Sequence, residues 1–308
     1  RLFLVARTCG APTCLRRLSS ACLRPLACGH LCAGGCGRGA SRCPPCLCCR
    51  LGSDSSRSSC YICEEAVLPG PSTALACGHA LHVDCLSKQL GVERGRWQPP
   101  TPRDLPLSFD FRRCPACRER IAEDAADLPA PIADALRQAS AMEAQVVELA
   151  WKRLRRDPCH RGSEAIQPGG AFDGRPREFA MRLYAHYRCE ECGEVYFGGE
   201  RRCEVQEPTA SASSKRLCAC CSAQQAGAKC QRGHDPSFVQ WKCTYCCSIA
   251  SWFCWGNTHM CAECHSSAAR PERPCRGARA CPLGGRHPPN GSSEQTCLGC
   301  SLCRHSSD

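Results

Sequence analysis

Eight residues with the donor atoms that zinc prefers stand in order between positions 60 and 117: Cys60-x2-Cys63, Cys77-x-His79-x2-His82-x2-Cys85 and Cys114-x2-Cys117. Tetrahedral zinc takes four sulfur or imidazole ligands, so eight donors in this order make two interleaved sites. Each is filled by protein, with no position left for water. Such centres are expected to be structural, and hydrolysis at them is not expected.

A second, longer set runs from Cys189 to Cys303. It comprises Cys189, Cys192, Cys218 and Cys221, then Cys230, His234, Cys243 and Cys246, then Cys247, Cys261, Cys264, Cys275, Cys281, His287, Cys300 and Cys303. Sixteen donors suffice for four tetrahedral zincs. The first two groups of four are expected to form one site each, and spacing alone does not divide the last eight. Cys203, Cys220, Cys254, Cys297, His259 and His265 are left over. Cys220 could exchange roles with a neighbour, and Cys297 is close enough to Cys300 to ligate. Cys203 and Cys254 have no partner at ligand spacing. A nucleophilic cysteine needs access, thiolate character and no metal. Cys203 follows Arg201 and Arg202, and Cys254 lies between Phe253 and Trp255 with His259 and His265 close in sequence. The competing expectation for such a cysteine is a small buried hydrophobe.

The elements that must position these residues are small. The chain has 308 residues with 35 Cys, 10 His, 26 Gly and 23 Pro, and only 6% are aromatic. So many cysteines in mostly C-x-x-C spacing point to zinc modules in a reducing compartment, cytoplasm or nucleus, rather than to a secreted disulfide lattice. A structural zinc supplies ~10–16 kcal/mol that a tiny core cannot. No segment approaches a membrane span. The start carries no initiator Met and reads as part of something longer, not as a signal peptide. The net charge of +11 is dispersed, with "WKRLRRD" at 151–157 its densest run, read here as a solvated face. Residues 131–157 form the one long helical candidate, with Pro131 at its start, Pro158 at its stop and an apolar stripe of Ile132, Leu136, Ala139, Met142, Val146 and Leu149. The expected organisation is a Cys-rich module at 1–50, a polar linker at 51–59, a first metal domain at 60–121, a helical linker at 122–178 and a second metal domain at 179–305.

The order of donors in 60–121 resembles a RING-H2 domain, the module that recruits a ubiquitin-charged E2 enzyme. That resemblance implies one zinc on Cys60, Cys63, His82 and Cys85 and another on Cys77, His79, Cys114 and Cys117. It also implies E2 contacts from Ile62, Trp97 and Pro115, with Arg118 at the basic position touching E2 and ubiquitin. The stretches "FAMRLYAHYRCEECGEVYFGGERRC" (179–203), "KCTYCCSIASWFCWGNTHMCAECH" (242–265), "CPLGGRHPP" (281–289) and "CLGCSLC" (297–303) resemble the tandem-cysteine domain of PHR-type E3 ubiquitin ligases, the Highwire and Myc-binding-protein-2 family. The resemblance covers about residues 55–305. Residues 28–49 are similar to an NF-X1-type zinc module.

The family implies a fold of small α+β zinc-stabilised modules: a RING-H2 domain, a linker helix and a multi-zinc tandem-cysteine domain. It implies two zincs in the first domain, about four in the last, and room for one or more in residues 1–50. It also implies a RING–cysteine relay. Cys203 would take ubiquitin from the E2 and pass it to Cys254. His265 would then deprotonate a Thr or Ser hydroxyl, or a Lys would accept. Ubiquitin, an E2 and a protein substrate are the implied partners. The chain departs from the family pattern at Lys215, where the family has glutamate, and at Trp255, Met260 and Ala268, where it has phenylalanines. The segment between Cys203 and Cys218 is two residues shorter than the family's, and Cys230-x3-His234 is one longer than its C-x2-H.

A rival from another class is a RING adaptor without a thioester intermediate, its second region holding substrate. A nucleic-acid-binding zinc protein ranks third, since no concentrated basic and aromatic surface is legible.

Overall fold

The computed structural model describes residues 24, 26, 59–67, 71–123, 128–201, 215–225, 230, 232–234, 238–267, 273–277, 279–283, 287–291 and 295–304. The expected module at 1–50 (apart from Arg24 and Leu26), the linker 51–59 (apart from Ser59), Cys203 and Ala268 lie outside the described residues. The chain divides into two compact units. One holds residues 1–100 and 108–143, the other 101–107 and 144–308. Among the described residues no helix is long and apolar enough to cross a membrane.

The recurring local structure is a knuckle at C-x-x-C. The amide of Cys60 donates to Glu65 O at 2.8 Å and the amide of Glu64 to Cys60 O at 2.7 Å. Cys114 with Glu119 and Arg118, and Cys189 with Glu194 and Gly193, repeat this pair of bonds, and Cys243 with Ser248 repeats its first. Two of the knuckles turn through a left-handed non-glycine residue, Glu64 at φ 63° and Arg118 at φ 65°. Each such residue costs roughly 1–2 kcal/mol, which a metal closing the knuckle would offset.

In the first unit, β1 (Ser72–Ala74) pairs antiparallel with β2 (Ala80–His82), which runs into α1 (Val83–Leu90). β3 (Val92–Glu93) and β4 (Arg96–Trp97) form a second short hairpin. Val67, Leu75, Leu81, Leu86, Leu90 and Ile121 pack with Ile132 and Leu136 of the long helix α2 (Ala130–Arg156). The helix matches its expected span within a residue. Its buried line is Ile132, Leu136, Ala139, Val146, Ala150 and Leu154, while Met142 and Leu149 are half-buried. A stripe drifts this way on a straight 3.6-residue helix.

The second unit is built on α3 (Pro176–Leu183) and the hairpin of β5 (Tyr184–Arg188) with β6 (Val195–Glu200). There α2 contributes Ala150 and Leu154 to a core with Ala180 and Tyr184. The fully buried Tyr184 donates its hydroxyl to Asp157 Oδ2 at 2.9 Å. Replacing Tyr184 by phenylalanine removes a bond to a buried carboxylate and is expected to cost about 1.5–3 kcal/mol. An unchanged denaturation midpoint would show that Asp157 finds another donor. The remaining elements are α4 (Ala219–Gln225), β7 (Val239–Trp241), β8 (Trp252–Cys254), β9 (Thr258–Met260), α5 (Ala262–Ser266), β10 (Cys297–Cys300) and α6 (Ser301–Arg304). β8 pairs with β9, and β7 with β10 from the far end of the chain.

Candidate functional site

The donor residues gather into four-membered groups. In the first unit these are Cys60, Cys63, His82 and Cys85, and Cys77, His79, Cys114 and Cys117. The ring of His82 presents Nδ1 to Cys63 Sγ at 3.3 Å and to Cys85 Sγ at 3.9 Å, while its Nε2 meets Ala66 O at 2.9 Å. A carbonyl on Nε2 fixes the tautomer that leaves Nδ1 free to ligate. His79 Nδ1 is buried and has no hydrogen-bond partner, as expected of an atom reserved for a metal. Burial and the neighbouring sulfurs push the Cys77 thiol up to about 11. A cation is what would let such crowded sulfurs ionise.

In the second unit Cys189, Cys192, Cys218 and Cys221 come together as expected. The second expected group does not. Cys230 and His234 join Cys300 and Cys303, while Cys243 and Cys246 join Cys261 and Cys264. The cause is strand pairing, which spacing does not reveal. β10 lies on β7 and carries Cys300 to the Cys230 loop. The β8–β9 hairpin returns the chain so that Cys261 meets Cys246. Cys247 and Cys281 each place Sγ 3.4 Å from His287 Nε2, and Cys275 interacts with both sulfurs.

The spacings test the fit to zinc. Bonds of about 2.3 Å to sulfur and 2.0 Å to nitrogen give tetrahedral edges of about 3.8 Å and 3.5 Å. Cys192–Cys218 is 3.7 Å, Cys230–Cys303 3.6 Å and Cys246–Cys261 3.6 Å. His234 Nδ1 stands 3.5 Å from each of Cys230, Cys300 and Cys303. The groups fit multiple structural zinc sites, whose work is to hold small modules closed. Cys220 is exposed on α4, outside its group, and Cys297 Sγ accepts the amide of Gly299 at 3.3 Å.

Cys254 ends β8, opposite Thr258, in a hairpin flanked in sequence by Cys243 and Cys246 on one side and Cys261 and Cys264 on the other. It is 2% exposed, in a core with Tyr245, Met260 and those four cysteines, lined by Trp252 and Trp255. Strand alternation separates the two nearby histidines. His259 pairs with Phe253 on the other face, stacked on Trp241 at 4.7 Å with Nδ1 2.7 Å from Gln295 Oε1. His265, on α5, stacks on Trp252 at 4.0 Å, and Trp252 shares the Cys254 side of β8.

The strand leading to Cys203 packs on this hairpin. Gly199 has φ +117°, and a methyl group on it would stand 2.5 Å from Phe253 O and 3.0 Å from Cys254 Cα. Gly198 lies equally tight against the Tyr187 ring and accepts the Gly256 amide through its carbonyl at 2.9 Å. Sequence reasoning overlooked this pair. The signal was present, because two glycines inside a strand mark close backbone approach.

Of the expected E2 contacts, Ile62 and Arg118 are exposed in two knuckles and Pro115 is half-buried. Trp97 is half-buried on β4 and donates Nε1–H to Leu90 O at 2.9 Å.

No family model matches the chain. It is similar along 99% of its length to E3 ubiquitin-protein ligase MYCBP2 of Danio rerio, 31% identical over 329 residues. It is likewise similar along 99% to E3 ubiquitin-protein ligase highwire of Drosophila melanogaster, 30% identical over 338 residues. The chain spans 7% and 6% of the lengths of these relatives.

Proposed function

From the premise that the chain belongs to the PHR-type family of E3 ubiquitin ligases, we propose that it transfers ubiquitin through two thioesters. The 60–121 region acts as a RING that holds a charged E2 through Ile62, Trp97, Pro115 and Arg118. The Cys203 thiolate attacks the E2 thioester and the E2 thiol leaves. The Cys254 thiolate attacks the new thioester and the Cys203 thiol leaves. An acceptor hydroxyl then attacks, His265 takes its proton and the Cys254 thiolate leaves. Protein substrate, E2 and ubiquitin are the partners of this reading, and its setting is cytoplasmic or nuclear.

The observation that carries it is the contact of Gly199 with Cys254. Cys203 follows Gly199 by four residues, which span at most ~14 Å of extended chain. That limit on the chain between Gly199 and Cys203 supports an acyl exchange between the two cysteines. The face that Cys254 shares with Trp252 also supports His265 over His259 as base.

One observation favours a second reading. Cys254 is 2% exposed, so its thiol must be uncovered before it is loaded. A RING adaptor that discharges E2 directly would have no need of it.

The test traps the intermediates. The chain is mixed with E1, E2, ATP and ubiquitin and run on non-reducing gels as wild type, Cys203→Ser and Cys254→Ser. The relay predicts a thiol-sensitive adduct in wild type, an adduct retained in Cys254→Ser, and none in Cys203→Ser. Accelerated E2 discharge with no adduct in any of the three would establish the adaptor.

A further inference from the structure

In sequence, the segment carrying Cys203 is flanked by two anchored arginines. At its entry, Arg201 donates Nε–H to the carbonyls of Met181 and Tyr184, each at 3.0 Å, and an Nη2 hydrogen to Leu107 O at 2.9 Å. At its exit stands Arg216, which is 3% exposed.

Arg216 joins two places. Its amide donates to Glu190 Oε1 at 2.8 Å and its carbonyl accepts the Glu190 amide at 3.0 Å. Glu190 lies between Cys189 and Cys192, and Arg216 is two residues before Cys218, so its backbone belongs to that metal group. Its side chain reaches the other way. The guanidinium lies 5.6 Å over the Tyr187 ring, and Nε donates to Trp255 O at 3.1 Å.

Trp255 is the residue after Cys254, and it holds a left-handed conformation at φ 53°. A bulky residue there is strained unless its surroundings fix it. The turn is fixed at three more points. Tyr196 donates its hydroxyl to Gly256 O at 2.6 Å, the Gly256 amide donates to Gly198 O at 2.9 Å, and the Asn257 amide donates to Cys254 O at 3.2 Å.

We infer that Arg216 is a positioning residue for ubiquitin transfer, coupling the Cys189–Cys192–Cys218–Cys221 metal group to the turn that orients Cys254. The inference rests on the relay reading and deepens it. In sequence, two members of the same group precede Cys203 and two follow it. Arg216 is the link from that group to the Cys254 turn.

The experiment uses the whole chain with E1, E2 and ubiquitin, as Arg216→Met and Arg216→Lys. Cys203 loading is measured with each change in a Cys254→Ser background. Passage to Cys254 is followed after a chase, Cys254 alkylation by iodoacetamide is read by mass spectrometry, and bound zinc is counted by native mass spectrometry. Arg216→Met is expected to load Cys203 and keep its zinc as wild type does. Its passage to Cys254 should fall by ~100-fold, the cost of a misplacement of about 1 Å, with an altered alkylation rate. Arg216→Lys, which restores a donor and a charge, should recover part of the passage.

Wild-type passage in Arg216→Met would overturn the inference and leave the relay standing. Loss of zinc or of Cys203 loading in both variants would make Arg216 a folding residue and overturn it as well. Failure of the relay itself appears earlier, as absent Cys203 loading in the chain with native Arg216, and removes both.

Discussion

Gly199→Ala is expected to destabilise the second unit by about 3 kcal/mol or more and to abolish passage of ubiquitin from Cys203 to Cys254. Two costs combine at this position. A backbone at φ +117° is closed to residues with a side chain, and holding one there costs of order 1–3 kcal/mol. The added methyl would also meet Phe253 O at 2.5 Å and Cys254 Cα at 3.0 Å, both backbone atoms that cannot rotate aside. Overpacking of this kind costs typically 1–3 kcal/mol. Gly174 separates the two terms, because it has φ +66° and open space around it. Gly174→Ala should cost only ~1–2 kcal/mol. Denaturant unfolding of the zinc-loaded variants measures both changes, and the non-reducing gel reads the transfer. Equal destabilisation by the two substitutions would show that β6 can lift off the hairpin freely. The tether between the two cysteines would then carry no weight.

That contact illustrates what the sequence yields and what it withholds. The C-x-x-C pairs within the described groups were legible, because local structure alone brings two donors three residues apart together. The long helix was legible for a similar reason, its period and its prolines both being local. Which pairs share a group is a long-range property. Cys300 reaches His234 only because β10 pairs with β7, with Cys300 opposite Val239. Nothing in the spacing of C-x2-C or C-x3-H encodes that pairing. His265 was named by resemblance alone, and that His259 lies on the other face of the hairpin follows only from the register Phe253↔His259. Arg216 gave no signal. A buried arginine beside an exposed lysine has the same composition as a solvated basic pair, and only its bonds to Glu190 and Trp255 distinguish it. Cys254 is 2% exposed, a burial that its aromatic neighbours Phe253 and Trp255 made legible.

Cys261→Ser is expected to have the largest effect in the second unit, because the core around Cys254 has little else to hold it. Cys243, Cys246, Cys261 and Cys264 are all buried, and with Tyr245, Met260 and Cys254 they are that core. Its strands β8 and β9 are three residues each, and a two-stranded hairpin of that size does not persist alone in water. Cys261 Sγ also accepts the Cys264 amide at 3.4 Å and so caps α5, which carries His265. A structural zinc at such a site is worth ~10–16 kcal/mol, and a hydroxyl cannot take the place of the thiolate. The substitution should remove one zinc and turn Cys254 from protected to rapidly alkylated. Adding a strong chelator to the native chain should reproduce that change. Cys220→Ser, made at an exposed sulfur outside the donor groups, should do neither. If Cys254 stays protected after the metal is gone, apolar packing by Trp252, Trp255 and Met260 holds the hairpin unaided. Zinc would then have to be assigned to orienting α5 and His265, and the protection of Cys254 would belong to its aromatic neighbours.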